Sequence, residues 1–210
     1  MDISPSKKKI FDIIESDNED DSQDINKSQN IKNKGTGAGG ANTNLNGLSY
    51  EDKTNLEELF SELKCDKKSK IRNIKFNNYQ NELVNVNKSN LYKFMEKIGE
   101  KNDKLQPAAG CKEPDEAYID INKKMVFIIE KKFQQTSGSV DEKIQTGPFK
   151  KIHYSKQFPN YKVNYIYCLS DWFKRDEYTS VLDYLKENNI PVFWGNDLNY
   201  KEDIIKFICS

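Results

Sequence analysis

The chain has 210 residues, of which 36% are hydrophobic and 31% charged, so it can form one domain of ordinary size beside a polar extension. Lysine plus arginine and aspartate plus glutamate both number 33, and net charge therefore favours neither a nucleic-acid partner nor an acidic one. No apolar run reaches the roughly 18 residues that cross a bilayer, and none follows the N-terminal lysines, so we expect neither a membrane anchor nor a secretory signal. We therefore expect a soluble, intracellular, cytoplasmic protein whose cysteines stay reduced.

Residues 1–46 are predicted to be a disordered tail that ends in a Gly-rich linker. They contain the mixed-charge stretch ESDNEDDSQDINKSQNIKNK followed by GTGAGGANTN, with few apolar residues after Ile14. Such a composition buries too little apolar surface to offset the entropy lost on ordering. The run GTGAGG lacks the GK[ST] ending of a phosphate loop, so we interpret it as a linker. The folded domain is predicted to span residues 47–210.

Hydrophobic periodicity predicts alternating helices and strands in this domain. A helix over 50–63 is indicated by apolar residues at helical spacing, and residues 117–121 and 125–129 are predicted to form a β-hairpin around 122–124. The other predicted elements are short strands within 70–87, a helix at 89–100, a helix at 141–156 bent near Gly147-Pro148, a strand at 163–169, a helix at 177–188, a strand at 190–194 and a helix at 201–208. This order indicates an α/β (α+β) fold with a mixed sheet flanked by helices.

One charged motif is distinguished by its position at the end of an apolar strand. The pattern [DE]xK occurs five times in the chain, but only Glu130 and Lys132 follow an apolar strand run. The two-residue period of a strand puts both side chains on the same face. The pairs that begin at Glu51, Glu62 and Asp141 fall on predicted helices, where the same spacing points the side chains apart.

The predicted hairpin brings a second carboxylate to this face. If the turn centres between residues 122 and 123, Asp115 lies across from Glu130, and with the centre one residue later it lies across from Lys132. Either register puts Asp115 on the shared face, whereas the rival acid Asp120 would lie beside the turn. The carboxylates of Asp115 and Glu130 would bind a hard divalent cation whose waters can be replaced by phosphate oxygens. Lys132 would hold or deprotonate the attacking water. The alternative is a surface hairpin with accidental charges.

The segment Pro114-Asp115 and the motif Glu130-Lys131-Lys132, placed on a hairpin, resemble the PD-(D/E)xK nuclease superfamily. Residues 134–146 are similar to the stretch that type II restriction endonucleases of this superfamily carry after the ExK strand, and the similarity extends over residues 47–170. The resemblance implies a restriction-endonuclease-like core, Mg²⁺-dependent cleavage of double-stranded DNA in which Mn²⁺ can substitute, and a two-fold homodimer.

Further residues are expected to assist such a site. Glu51 resembles a helical glutamate that reaches the metal in these enzymes, although a first-turn acid also favours the helix dipole. Gln134 lies on the face of Glu130 if the strand continues and would orient a water or phosphate, or it is a plain surface glutamine. The basic segment that follows suits phosphate contacts, unless it is a solvated face. Its candidate DNA-binding residues are Lys143, Gln145, Lys150, Lys151, His153 and Lys156.

The sequence therefore predicts a Mg²⁺-dependent, site-specific endonuclease with Asp115, Glu130 and Lys132 as catalytic residues. A DNA repair or junction-resolving nuclease would use the same three residues. A non-catalytic nucleic-acid-binding module is the alternative from a different functional class.

Overall fold

A computed structural model of the chain describes residues 41–66 and 71–210, and within them the backbone forms a seven-stranded sheet with helices on both faces. The strands are β1 (Phe60–Asp66), β2 (Ile71–Phe76), β3 (Glu82–Val86), β4 (Glu116–Asp120), β5 (Met125–Lys132), β6 (Lys162–Leu169) and β7 (Val192–Trp194). The helices are α1 (Ala41–Lys53), α2 (Asn90–Lys97), α3 (Val140–Lys143), α4 (Gly147–Gln157), α5 (Thr179–Glu187) and α6 (Tyr200–Cys209). Short 3₁₀ turns lie at Glu57–Leu59, Ile144–Thr146, Asp171–Lys174 and Asp176–Tyr178.

The sheet changes from antiparallel to parallel at β5. Strands β1 to β5 pair with their chain neighbours in antiparallel fashion, whereas β6 runs parallel to β5 and β7 runs parallel to β6. A parallel neighbour requires a crossover connection, which α3 and α4 supply between β5 and β6, and α5 supplies between β6 and β7. The C-terminal ends of β5, β6 and β7 therefore lie at the same edge of the sheet.

Both faces of β5 are buried, which explains its continuous apolar run. Val126 and Ile128 belong to a core that the sheet shares with α2, α4 and α5. Phe127 and Ile129 belong to a second core, on the other face, shared with α1 and α6. Charged residues follow directly after this run, and Glu130 and Lys131 remain buried at the end of β5.

The predicted mixed sheet flanked by helices is confirmed. The hairpin of β4 and β5 is present with Glu116 opposite Ile129, which corresponds to a turn centred between residues 122 and 123. The helix predicted at 141–156 is interrupted where expected, because α3 and a 3₁₀ turn precede Gly147 and Pro148 at the start of α4. Cys111, Cys168 and Cys209 are buried free thiols. No helix in the described parts of the chain is long and apolar enough to cross a membrane.

The predicted helix over 50–63 was wrong beyond residue 53. Helix α1 ends at Lys53, and from Phe60 the chain is a strand paired antiparallel with β2. Phe60 packs edge-on against Phe76 with ring centroids 5.9 Å apart, so cross-strand pairing outweighs the local helical spacing. Of the tail and linker predicted at 1–46, residues 1–40 lie outside the described residues, and α1 begins at Ala41, within the predicted linker.

Candidate active site

The three predicted catalytic side chains meet at the C-terminal end of β5. The register of β4 and β5 places Asp115, just before β4, across from Glu130. The ammonium nitrogen of Lys132 lies 2.7 Å from Glu130 Oε1 and 3.9 Å from Asp115 Oδ2. Because one ammonium contacts both carboxylates, the acids face the same small volume at this edge of the sheet.

The backbone of β5 holds Asp115 in place. The N–H of Lys131 donates a hydrogen bond of 2.7 Å to Asp115 Oδ2. This side chain thus continues the hydrogen bonding between the two strands beyond their last ladder pair, Glu116 and Ile129. Upstream, the carbonyl of Pro114 accepts the N–H of Lys88 at 3.0 Å, which fixes the chain as it enters β4.

The side chain of Lys131 points to the opposite face of the sheet and attaches helix α1. Its ammonium lies 3.1 Å from Glu116 Oε2, and both side chains are only 5% exposed. It also donates to the backbone carbonyl of Glu51 at 3.2 Å, near the C-terminal end of α1. A cation at that end of a helix complements the helix dipole. The middle residue of the motif therefore brings α1 to the edge of the site.

Burial and the neighbouring charges perturb the ionisation of all three residues. Burial raises the pKa of Asp115 to about 6, with the Lys132 ammonium opposing and the Glu130 carboxylate reinforcing the shift. Burial acts in the same direction on Glu130, but the ammonium groups of Lys132 and Lys150 outweigh it and hold the pKa of that carboxyl below its usual value. For Lys132, burial favours the neutral amine, yet the Glu130 and Asp115 carboxylates raise its pKa above the ordinary value. Lys132 is therefore a cation that can donate hydrogen bonds at neutral pH.

Glu51 and Gln134, the two predicted accessory residues, occupy different environments. The charge of Glu51 contributes to the raised pKa values of both Asp115 and Lys132, so it acts on the site from the end of α1. Gln134 is buried, and its side-chain amide donates to Asp141 at 2.8 Å. Its backbone N–H and carbonyl both bond to the Ser170 hydroxyl. Gln134 therefore anchors the segment after β5, and among the described residues no hydrogen bond joins it to Asp115, Glu130 or Lys132.

Of the six predicted DNA-binding residues, three are exposed and three make hydrogen bonds inside the protein. Lys143, Gln145 and Lys156 are exposed and available to a partner. Lys151 instead donates to the carbonyls of Asn188 and Asn189 at the end of α5, at 2.9 and 3.0 Å. His153 is 7% exposed, and its Nε2 accepts the N–H of Ala108 at 3.0 Å.

Lys150, the sixth of these residues, belongs to the site itself. Its ammonium donates to Glu130 Oε1 at 2.8 Å, and its side chain is 13% exposed. No local sequence pattern indicates this contact, since Glu130 and Lys150 are distant along the chain and Lys150 resembles its lysine neighbours. The crossover between β5 and β6, which lays α4 over the face that carries Glu130, was the feature from which it could have been inferred.

The carboxylate oxygens of Asp115 and Glu130 are ligands that suit a hard divalent cation bound through few protein groups. In the described parts of the chain, no residue donates a hydrogen bond to Asp115 Oδ1 or Glu130 Oε2, so one oxygen of each carboxylate is available. No group of three or more His, Cys, Asp or Glu side chains among the described residues could enclose a metal. Mg²⁺ commonly binds through one or two carboxylates and keeps several waters, so the number and type of ligands that Asp115 and Glu130 offer fit this ion.

No protein-family model matches the chain, and no curated protein or solved structure matches it significantly.

Proposed function

We propose that the protein is a Mg²⁺-dependent endonuclease that hydrolyses phosphodiester bonds in double-stranded DNA, with a core like that of the type II restriction endonucleases. The observation that carries the proposal is the contact of Lys132 with both Asp115 and Glu130 at the end of β5. Two carboxylates and a protonated lysine at one point are the groups that metal-assisted phosphodiester hydrolysis needs.

Each residue has a defined part in this reaction. Asp115 and Glu130 would hold Mg²⁺, or Mn²⁺ in its place, which supplies Lewis acidity and lowers the pKa of a bound water when present. Lys132, a cation at neutral pH, orients the attacking water through its N–H donors and stabilises negative charge on the phosphate in the transition state. The second core anchors α1, so that Glu51 adds negative charge at the same edge.

The DNA would approach along the surface that α3 and α4 present. Lys143, Gln145 and Lys156 are exposed there, and within the described ranges 41–66 and 71–210 their side chains make no hydrogen bond that a phosphate contact would break. One chain has one such centre, whereas cutting both strands of a symmetric site requires two centres related by the two-fold axis of the DNA. We therefore propose that the protein acts as a homodimer on DNA.

Plasmid and genomic DNA digests test this function. Wild-type protein should nick or linearise supercoiled plasmid with Mg²⁺ or Mn²⁺ but not with EDTA, and it should give discrete bands from genomic DNA. Glu130→Gln, which keeps the shape of the side chain and removes its charge, is the matched inactive protein. Cleavage confined to branched DNA would replace site-specific cutting by junction resolution. DNA binding with no cleavage in either metal would contradict a nuclease.

A further inference from the structure

Glu130 carries two ammonium partners on the same oxygen. Lys132 lies 2.7 Å and Lys150 lies 2.8 Å from Glu130 Oε1, one from β5 itself and the other from the overlying helix α4. Two positive charges against one carboxylate oxygen provide the compensation that a divalent cation would otherwise supply. In the part of the chain that the structure describes, Oε2 of Glu130 is free to bind a cation, but the two ammonium groups on Oε1 would repel that cation. One of the two lysines is therefore expected to move away when it binds.

Lys132 is held by more acceptors than Lys150. Besides Glu130, the Lys132 ammonium lies near Asp115 and donates to the carbonyl of Lys131 at 3.1 Å. Within the described chain, Lys150 has Glu130 as its hydrogen-bond acceptor and no other. Breaking one contact frees Lys150, whereas Lys132 would lose three.

Helix α4 cannot easily move away with Lys150. His153 accepts the N–H of Ala108, Gln157 donates to the carbonyl of Leu105 at 2.8 Å, and the rings of Tyr154 and Phe158 are fully buried. These contacts fasten α4 to the loop that leads to Asp115. A change at Lys150 is therefore a rotation of its side chain, which is cheap for a lysine, and its ammonium stays next to the site.

Resting on the proposed function, we infer that Lys150 is a positioning residue that takes the place of the metal ion at Glu130 in the metal-free protein and is displaced when the ion binds. Its ammonium keeps Glu130 charged and ready while the site is empty of metal, at the cost of competing with the ion for the same carboxylate. Once displaced, the same ammonium adds positive charge beside the phosphate that Asp115 and Glu130 would bring to the metal.

Metal affinity without DNA tests this competition. Mg²⁺ binding is measured by calorimetry on wild-type protein and on Lys150→Met, Lys150→Arg and Lys156→Met. We expect Lys150→Met to bind Mg²⁺ roughly three- to tenfold more tightly, because a competing ion pair is gone. Lys150→Arg, which keeps the pair, should stay close to wild type. Lys156→Met removes an exposed charge from the same helix without touching Glu130, and it should also match wild type.

A metal-free double-mutant cycle tests the contact itself, even if Lys150→Met is too unstable for calorimetry. In EDTA, Lys150→Met should lower the melting temperature in the wild-type background but not in the Glu130→Gln background. Equal losses in both backgrounds would overturn the pair.

The two proposals fail in different ways. If the wild-type protein binds Mg²⁺ but Lys150→Met binds it no more tightly, Lys150 does not compete with the metal ion for Glu130, and the proposed function stands. If the wild-type protein binds neither Mg²⁺ nor Mn²⁺, the proposed function falls, and this inference falls with it.

Discussion

Asp115 is held by the backbone of Lys131, whose N–H donates to its carboxylate at 2.7 Å. The residue between Glu130 and Lys132 thus positions the first carboxylate of the site with its main chain. With its side chain, the same residue forms an ion pair with Glu116 on the other face. A change in the backbone conformation of Lys131 would therefore alter both the position of Asp115 and the packing of α1 against the sheet.

Substitutions at the three convergent residues should abolish cleavage. Asp115→Ala and Glu130→Ala remove the carboxylates that would bind the metal, and Lys132→Ala removes the cation beside the attacking water. We expect each to reduce the rate by at least about a hundredfold in a plasmid-nicking assay with Mg²⁺.

Asp120→Asn is the matched control for this series. Asp120 lies at the other end of β4, where Oδ1 accepts the N–H of Lys123 at 2.8 Å in the hairpin turn. An asparagine oxygen can accept the same bond, so cleavage should stay near that of wild type. Loss of cleavage in Asp120→Asn, combined with normal cutting by Asp115→Ala, would mean that the wrong acid has been assigned.

The buried pair of Lys131 and Glu116 should respond asymmetrically to substitution. Lys131→Met leaves the Glu116 carboxylate buried without its cation, so we expect the free energy of unfolding in urea to fall by about 3–5 kcal/mol. The double variant Lys131→Met/Glu116→Gln removes both charges and should be more stable than the single one. A single variant as stable as wild type would show that the pair does not hold α1 to the sheet.

Gly147 is a site where any side chain should disturb α4. A Cβ placed there would lie 2.8 Å from the Tyr167 ring and 3.1 Å from both Ile190 and Leu185. Gly147→Ala should therefore cost about 1–3 kcal/mol by overpacking, measured by thermal or urea unfolding. Gly47→Ala in α1 is the control, because its Cβ meets nothing within 4 Å, and it should be neutral or stabilising. Equal effects of the two substitutions would contradict this packing.

His153 should titrate below the usual range for histidine. Burial and the charge of Lys156 lower the pKa of His153, and protonating Nε2 would break its bond with Ala108. It is the only histidine in the sequence, so its imidazole signals can be followed unambiguously by NMR. A pKa at or above about 6.5 would contradict the contact.

The same shift predicts how stability depends on pH. Below a pH of about 6.5 the unfolded chain binds more protons at this position than the folded one, so the contribution of His153 is present above that pH. It is lost as the pH falls through the lowered folded value. The difference in unfolding free energy between wild type and His153→Gln should therefore shrink on acidification, whereas a constant difference would exclude the linkage.

DNA affinity should depend on salt through the exposed lysines of α3 and α4. Lys143→Gln/Lys156→Gln should reduce the slope of log affinity against log salt by about one to two units, measured on metal-free protein by fluorescence anisotropy. Lys206→Gln removes an exposed charge from α6, which packs on the opposite face of the sheet, and should leave the slope unchanged. Equal effects of both proteins would place the DNA elsewhere.

The hairpin and the convergence at its end were predictable from the sequence for a local reason. Side chains alternate strictly along a strand, so Glu130 and Lys132 had to share a face. A short turn restricts the register to two neighbouring choices, and both bring Asp115 to that face. Likewise, Pro148 lacks a backbone N–H and is tolerated in the first turn of a helix but not in its interior, which is why a break before α4 could be foreseen.

Only the tertiary structure decided the features that depend on distant partners. The residues from Phe60 onward have helical spacing, but pairing with β2 makes them a strand, since hydrogen bonds to a neighbour and burial outweigh weak local propensity. Lys150 and Lys151 are adjacent lysines in one helix, yet one contacts Glu130 and the other the end of α5. Neighbouring residues on a helix point in directions about a hundred degrees apart, so their partners are set by what packs against each side of α4.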